Sequence, residues 1–152
     1  MTTPVQSAPK RYAALLKVIG KRATSAKLES PFDFISLAEK GLEAKAISNF
    51  QSHFGLSRED VSQMLNISSP TLYRWVKINK TLDRNSAVQL LELVDLFLMG
   101  QEVFDSQEHF TQWLNFESIA LGRMKPKTLL GIPGGISKVR DELGRIEYGV
   151  FS

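Results

Sequence analysis

The apolar positions of this chain recur at three- and four-residue steps, and the polar residues between them supply starts and stops for short helices. In PKRYAALLKVI, Tyr12, Leu15, Leu16 and Ile19 fall on one side of a helical pattern over residues 9–19. Residues 20–30 are small and polar and read as a linker. SPFDFISLAEKG opens on Ser–Pro and closes on Gly41, the two ends of a short helix, with Phe34, Ile35, Leu37 and Ala38 as its expected buried side. LEAKAISNFQSHFG follows, with Leu42, Ala46, Ile47, Phe50 and Phe54 in step and Gly55 as its stop. DRNSAVQLLELVDLFLMG is the longest helical stretch, from an N-capping Asp83 to Gly100. Its apolar residues cover much of the circumference, which predicts a central, buried helix. No segment alternates with period two for long and no Asn-Gly or Asp-Gly hairpin turn occurs, so the expected class is all-α.

Between the third and the longest stretch lies SREDVSQMLNISSPTLYRWVK. Ser57 with Asp60 three residues on is a weak capping pattern, and Val61, Met64 and Leu65 share a face. Ser62 is small where a second helix must cross. Asn66 suits a left-handed exit from the first helix, and Ile67 plugs the turn. Ser68 or Ser69 can cap a second helix with Pro70 in its first turn, and Leu72 and Trp75 point back to the core. This is the spacing of a helix-turn-helix unit. The residues left facing outward are Ser69, Thr71, Tyr73, Arg74 and Lys77. Arg74 can pair with guanine and Thr71 with a base edge, while Ser68, Lys77 and Lys80 suit phosphates. The plain alternative is a helical hairpin whose outer face is merely solvated.

The back half is a series of short helices. Asp105 or Ser106 caps one carrying Phe110, Trp113 and Leu114, and Pro126 starts a very short one with Leu129 and Leu130. GIPGG is a turn, and ISKVRDELGRIEYG is amphipathic through Ile136, Val139, Leu143 and Ile146. The expected organisation is a basic arm or helix over residues 1–30, a helix-turn-helix region with the long helix over 31–100, and a small helical domain over 101–152.

Charge sharpens this division. Residues 1–30 hold Lys10, Arg11, Lys17, Lys21, Arg22 and Lys27 against Glu29 alone, whereas residues 81–152 are net acidic. A basic front is a plausible DNA or membrane contact, and a solvated tail explains it equally well. With no cysteine there is no disulfide or thiolate metal site. No apolar run reaches the roughly 18 residues of a membrane span, so the expectation is a cytoplasmic protein that does not engage membranes. His53 and His109 are isolated, no acidic set has metal-ligand spacing, and GIPGG follows no strand. Neither enzymatic activity, a cofactor nor a metal is expected.

Taken together, SSPTLYRW, the Leu-rich helix, VF…WL…ALG…P..LL and the closing GG…V.DELGRIEYGV resemble the Xre-type antitoxins of the Xre/MbcA/ParS family, over roughly residues 31–152. The resemblance implies a DNA-binding region and a C-terminal domain that neutralises a NAD-consuming RES-domain toxin by covering its active site. It also implies operator binding with autoregulation in a type II module. The recognition face it implies is Ser69, Thr71, Tyr73, Arg74 and Lys77, and the toxin-covering end is Arg145, Ile146, Glu147, Tyr148, Gly149 and Val150. Two departures stand out: Arg123 after Gly122, where a second glycine is expected, and WVK after Arg74, where many members are more basic. The expected partners are a RES-domain toxin, operator DNA and a second copy of the chain, since one half-site gives few contacts. With toxin, a larger hetero-oligomer is expected. The alternatives are a stand-alone helix-turn-helix regulator whose C-terminal domain senses a ligand or dimerises, and a scaffold that no longer reads DNA.

Overall fold

A computed structural model describes residues 8–20, 30 and 32–149. Among them the regular elements are helices: α1 (Ala8–Ile19), α2 (Phe32–Glu39), α3 (Lys45–Phe54), α4 (Arg58–Leu65), α5 (Ser69–Lys77), α6 (Arg84–Phe104), α7 (Gln107–Leu114), a single 3-10 turn (Ile119–Leu121), α8 (Pro126–Leu129) and α9 (Gly135–Glu147). No helix among the described residues is long and apolar enough to cross a membrane.

α6 is the axis, and its start is set locally. Asp83 accepts a hydrogen bond from the Ser86 N–H at 3.2 Å, capping the first turn. The bond from the Ser86 side chain, and then that from its N–H, hold the Asp83 carboxyl below the usual carboxylate range against an opposing effect of burial. Its 21 residues span about 30 Å. Ala87, Leu90, Leu91, Leu93, Val94, Leu96 and Phe97 are buried around it, against α1, α2, α7 and α9.

The helix does not stop at Gly100, as its sequence predicts. It runs on to Phe104 and ends with Asp105 in the left-handed conformation at φ 52°. Gly100 serves a different purpose. A β-carbon there would lie 2.3 Å from the fully buried Phe110 ring of α7, so the glycine lets α7 close on α6. Ser106, not Asp105, caps α7 by accepting from the His109 N–H at 3.1 Å.

One hydrophobic cluster joins all of this, from Tyr12 in α1 to Leu143 in α9. The Phe97 ring sits at its centre, 5.3 Å from Phe50, 5.0 Å from Phe54 and 5.3 Å from Phe110. The contacts with Phe50 and Phe110 are edge-to-face, a geometry that adds to the burial of their area.

The front of the chain is part of this core. Tyr12, Leu15, Leu16, Val18 and Ile19 are buried against α6 and α3. Arg11 is not available to DNA or a membrane: its Nε lies 2.5 Å from Asp95 Oδ1 in the middle of α6. Arg140 of α9 reaches the other carboxylate oxygen at 3.2 Å. Asp95 is buried, so one carboxylate ties the first helix and the last to the axis. Burial first, and then the Asp95 carboxylate, push the Tyr12 phenol above its ordinary range. Lys21, Arg22 and Lys27 lie outside the described residues. Ile35, expected in the core beside Phe34, instead faces solvent. The apolar run of α2 spreads over more than half the helix, and only the side bearing Phe34, Leu37 and Ala38 meets α6.

Candidate functional site

α4 and α5 form the bihelical unit that the sequence predicts, through three local devices. Ser57 caps α4 by accepting from the Asp60 N–H at 3.0 Å. Asn66 ends it at φ 55°, ψ 44°, the left-handed exit. Ser68 caps α5 by accepting from the Thr71 N–H at 3.4 Å, with Pro70 in the first turn. Ser62 is more than small: its hydroxyl donates to the Ile67 carbonyl and pins the turn. Leu72 is buried and Trp75 packs against the core.

The outward residues fall into two sets. Ser68, Thr71 and Arg74 form a chain, with the Ser68 hydroxyl donating to Thr71 Oγ1 at 2.8 Å and Arg74 Nη2 donating to the same oxygen at 3.2 Å. The Arg74 guanidinium is thereby aimed along the start of the helix while the residue stays exposed. Ser69, Tyr73 and Lys77 instead line a cleft of about 490 Å³ between α5 and α3. Lys80 lies past the end of α5, its ammonium 4.4 Å from the centre of the Trp75 ring.

Arg58 belongs with them, although sequence reasoning did not select it. Its guanidinium sits 5.7 Å from the centre of the Tyr73 ring, at the mouth of the same cleft. A signal was present. A cation in the first turn of a helix opposes the helix dipole, and Arg58 opens α4 where Glu59 and Asp60 suit the dipole.

The C-terminal end is built by α9. Its face through Ile136, Val139 and Leu143 is buried. Arg145 is exposed and lies 3.6 Å from Glu142 one turn back. Ile146 and Glu147 are half-buried, and the buried core stripe of α9 ends one turn earlier at Leu143. Tyr148 caps the helix with 80% of its surface exposed, and Gly149 follows at φ 70°. Val150 lies outside the described residues.

The helix-turn-helix and the C-terminal helices meet at the turn between α8 and α9. Gln89 Nε2 donates to the Met64 carbonyl at 2.9 Å and to the Leu130 carbonyl at 2.8 Å, bridging α4 to the segment after α8. Gly131 lies so close that a β-carbon would be 2.0 Å from the Gln63 carbonyl oxygen. The GIPGG turn is therefore a docking point on the first helix of the bihelical unit.

Residues 33–98 match a family model described as the antitoxin Xre-like helix-turn-helix domain, and residues 99–149 one described as the antitoxin Xre/MbcA/ParS C-terminal toxin-binding domain. The chain belongs to the Xre/MbcA/ParS antitoxin family. It is an antitoxin of a toxin–antitoxin system, not an enzyme, and its two domains imply DNA and a toxin as partners. The antitoxin is also similar to the Prs ADP-ribosylating antitoxin of Sphingobium sp. (strain YBL2), at 25% identity over 132 residues, 81% of this chain and 83% of the relative. The two family matches meet inside α6, which crosses the boundary unbroken.

Proposed function

We propose that this antitoxin neutralises a NAD-consuming, RES-domain toxin with its C-terminal end, and that its helix-turn-helix binds operator DNA to autoregulate a type II operon from the cytoplasm. The observation that carries the reading is the end of α9 in the toxin-binding domain. There Arg145 and Tyr148 stand exposed at the close of a well-packed helix. An aromatic anchor beside a cation on a rigid support is the composition of an interface hot spot. Arg145, Tyr148, Gly149 and Val150 occupy the mouth of the toxin's pocket and keep the dinucleotide out, with Ile146 and Glu147 holding them in place. The relative's printed name supports this chemistry, because ADP-ribosyl transfer draws its group from NAD.

At the other end, Thr71 and Arg74 meet base edges. Ser68, Ser69, Lys77 and Lys80 hold the backbone, with Tyr73 and Arg58 at the rim. A homodimer presents two such faces to two half-sites and forms a larger assembly with toxin.

The test is co-expression with the product of the neighbouring reading frame, using the full chain or a chain ending at Glu147, which keeps α9 whole. Growth and cellular NAD are scored. Rescue by the full chain alone supports a toxin blocked by residues 148–152. Equal rescue by both places neutralisation elsewhere and refutes the covering mechanism.

A further inference from the structure

The loop from Phe116 to Met124, between α7 and α8, presents three large apolar side chains to water. Phe116 is 70% exposed, Ile119 83% and Met124 41%. The loop that carries them is well ordered by hydrogen bonds. The Ser118 N–H donates to the Met124 carbonyl at 3.0 Å, and the Arg123 N–H donates to the Ser118 carbonyl at 2.7 Å, closing it as an antiparallel bridge. Three large apolar side chains exposed within one short loop on a fixed support exceed the singly scattered exposures of an ordinary surface and point to an interaction site.

Arg123 adds an independent sign. It stands at φ 64°, directly after Gly122 at φ 67°. A left-handed arginine is strained where glycine would be at ease, and such strain persists where the side chain is used. The loop also forms one wall of a groove of about 440 Å³ whose other wall is α9, with Leu121 and Met124 facing Lys138, Glu142 and Arg145. The groove thus runs into the C-terminal end already described.

We propose that the 116–124 loop is a second contact of the toxin-binding surface. Ile119 is its anchor, Phe116 and Met124 flank it, and Arg123 supplies a cation to an apolar, acid-rimmed patch on the toxin. This rests on the toxin-neutralising reading above. A second copy of the chain is the competing occupant. The toxin is favoured because the loop lies within the toxin-binding domain and is continuous with Arg145.

The test is titration of the purified neighbouring-frame product with the full chain carrying Ile119→Asp, Arg123→Gly or Tyr148→Ala. Ile119→Asp should weaken toxin binding by about 30-fold, as expected of a hot-spot residue. Arg123→Gly should weaken it several-fold while the melting temperature rises, an outcome that misfolding cannot imitate. If Tyr148→Ala loses binding and Ile119→Asp stays within about threefold of the parent, this inference falls and the covering mechanism stands. If the neighbouring product binds no form of the chain, both fall. If Ile119→Asp instead turns a dimer into a monomer by light scattering and leaves toxin affinity intact, the loop is a self-association face and the proposal is overturned.

Discussion

The substitution Asp95→Asn keeps the size of the side chain and removes its charge. Asp95 lies in the middle of α6 with its side chain 4% exposed, accepting from Arg11 at 2.5 Å and Arg140 at 3.2 Å. Both bonds are charge-assisted, and making the acceptor neutral loses roughly 1 kcal/mol from each. The Arg11 side chain, 13% exposed, then keeps a charge in poor solvent. Removing one partner of a fully buried pair costs about 3–5 kcal/mol. Arg140 lowers that figure, because its side chain is 35% exposed and can recover water. The expected cost is therefore about 3 kcal/mol, read as a fall of roughly 6–12 °C in melting temperature for a chain of this size. In urea the midpoint should fall by about 1–2 M with an unchanged slope. A double-mutant cycle with Arg11→Met isolates the pair: the loss caused by Arg11→Met should be smaller by at least about 0.5 kcal/mol, as expected for coupled neighbours, once Asp95→Asn is present. A cost below about 0.5 kcal/mol, or strict additivity, would refute the account of α1 as tied to the axis through this carboxylate.

Arg74→Ala should cost about 1–3 kcal/mol in operator affinity at fixed salt, measured by fluorescence anisotropy, and relax the preference at one base pair without altering rescue from the toxin. Asp83→Ala should cost about 1 kcal/mol through loss of the α6 cap. Because the folded state lowers the pKa of Asp83, that contribution is complete at neutral pH and fades as pH falls below about 4, so parent and variant should converge in acid denaturation. The raised pKa of Tyr12 works in the opposite direction: its contribution holds below about pH 10 and is lost above it, and Tyr12→Phe should flatten the alkaline limb of the stability curve. Gly131→Ala sets a β-carbon against the Gln63 backbone, which has no rotamer to yield, and should cost about 1–3 kcal/mol by chemical denaturation.

What was legible in the sequence was local. Ser57, Asn66 and Ser68 act within four residues of themselves, and each stands where its type predicts. The burial of Tyr12, Leu15, Leu16 and Ile19 followed from spacing alone. Gly100 was misread because a glycine after a long apolar run looks like a stop, and only the ring of Phe110 from another helix explains it. Arg11 looked like one more cation in a basic arm because its partner lies 84 positions away. Ile35 shows the limit of periodicity in a short, nearly continuous apolar run, where two sides of the helix are equally credible. Arg58 was passed over because it precedes the expected recognition helix, and only the fold lays it over Tyr73.

The shared core governs how the two partner faces can be separated by experiment. α6 runs through the junction of the two family domains, Phe97 contacts rings on both sides, and Gln89 bridges the α4 and Leu130 carbonyls. A substitution at any of these positions loosens both halves together, and joint loss of DNA and toxin binding would then report only on stability. Arg74 and Tyr148 are exposed, and no described element packs over either. Their substitutions leave the core intact, so each should remove one activity and spare the other. Loss of both activities from Tyr148→Ala in a chain with unchanged melting temperature would require a contact between the two faces that the described residues do not contain, and would refute their independence.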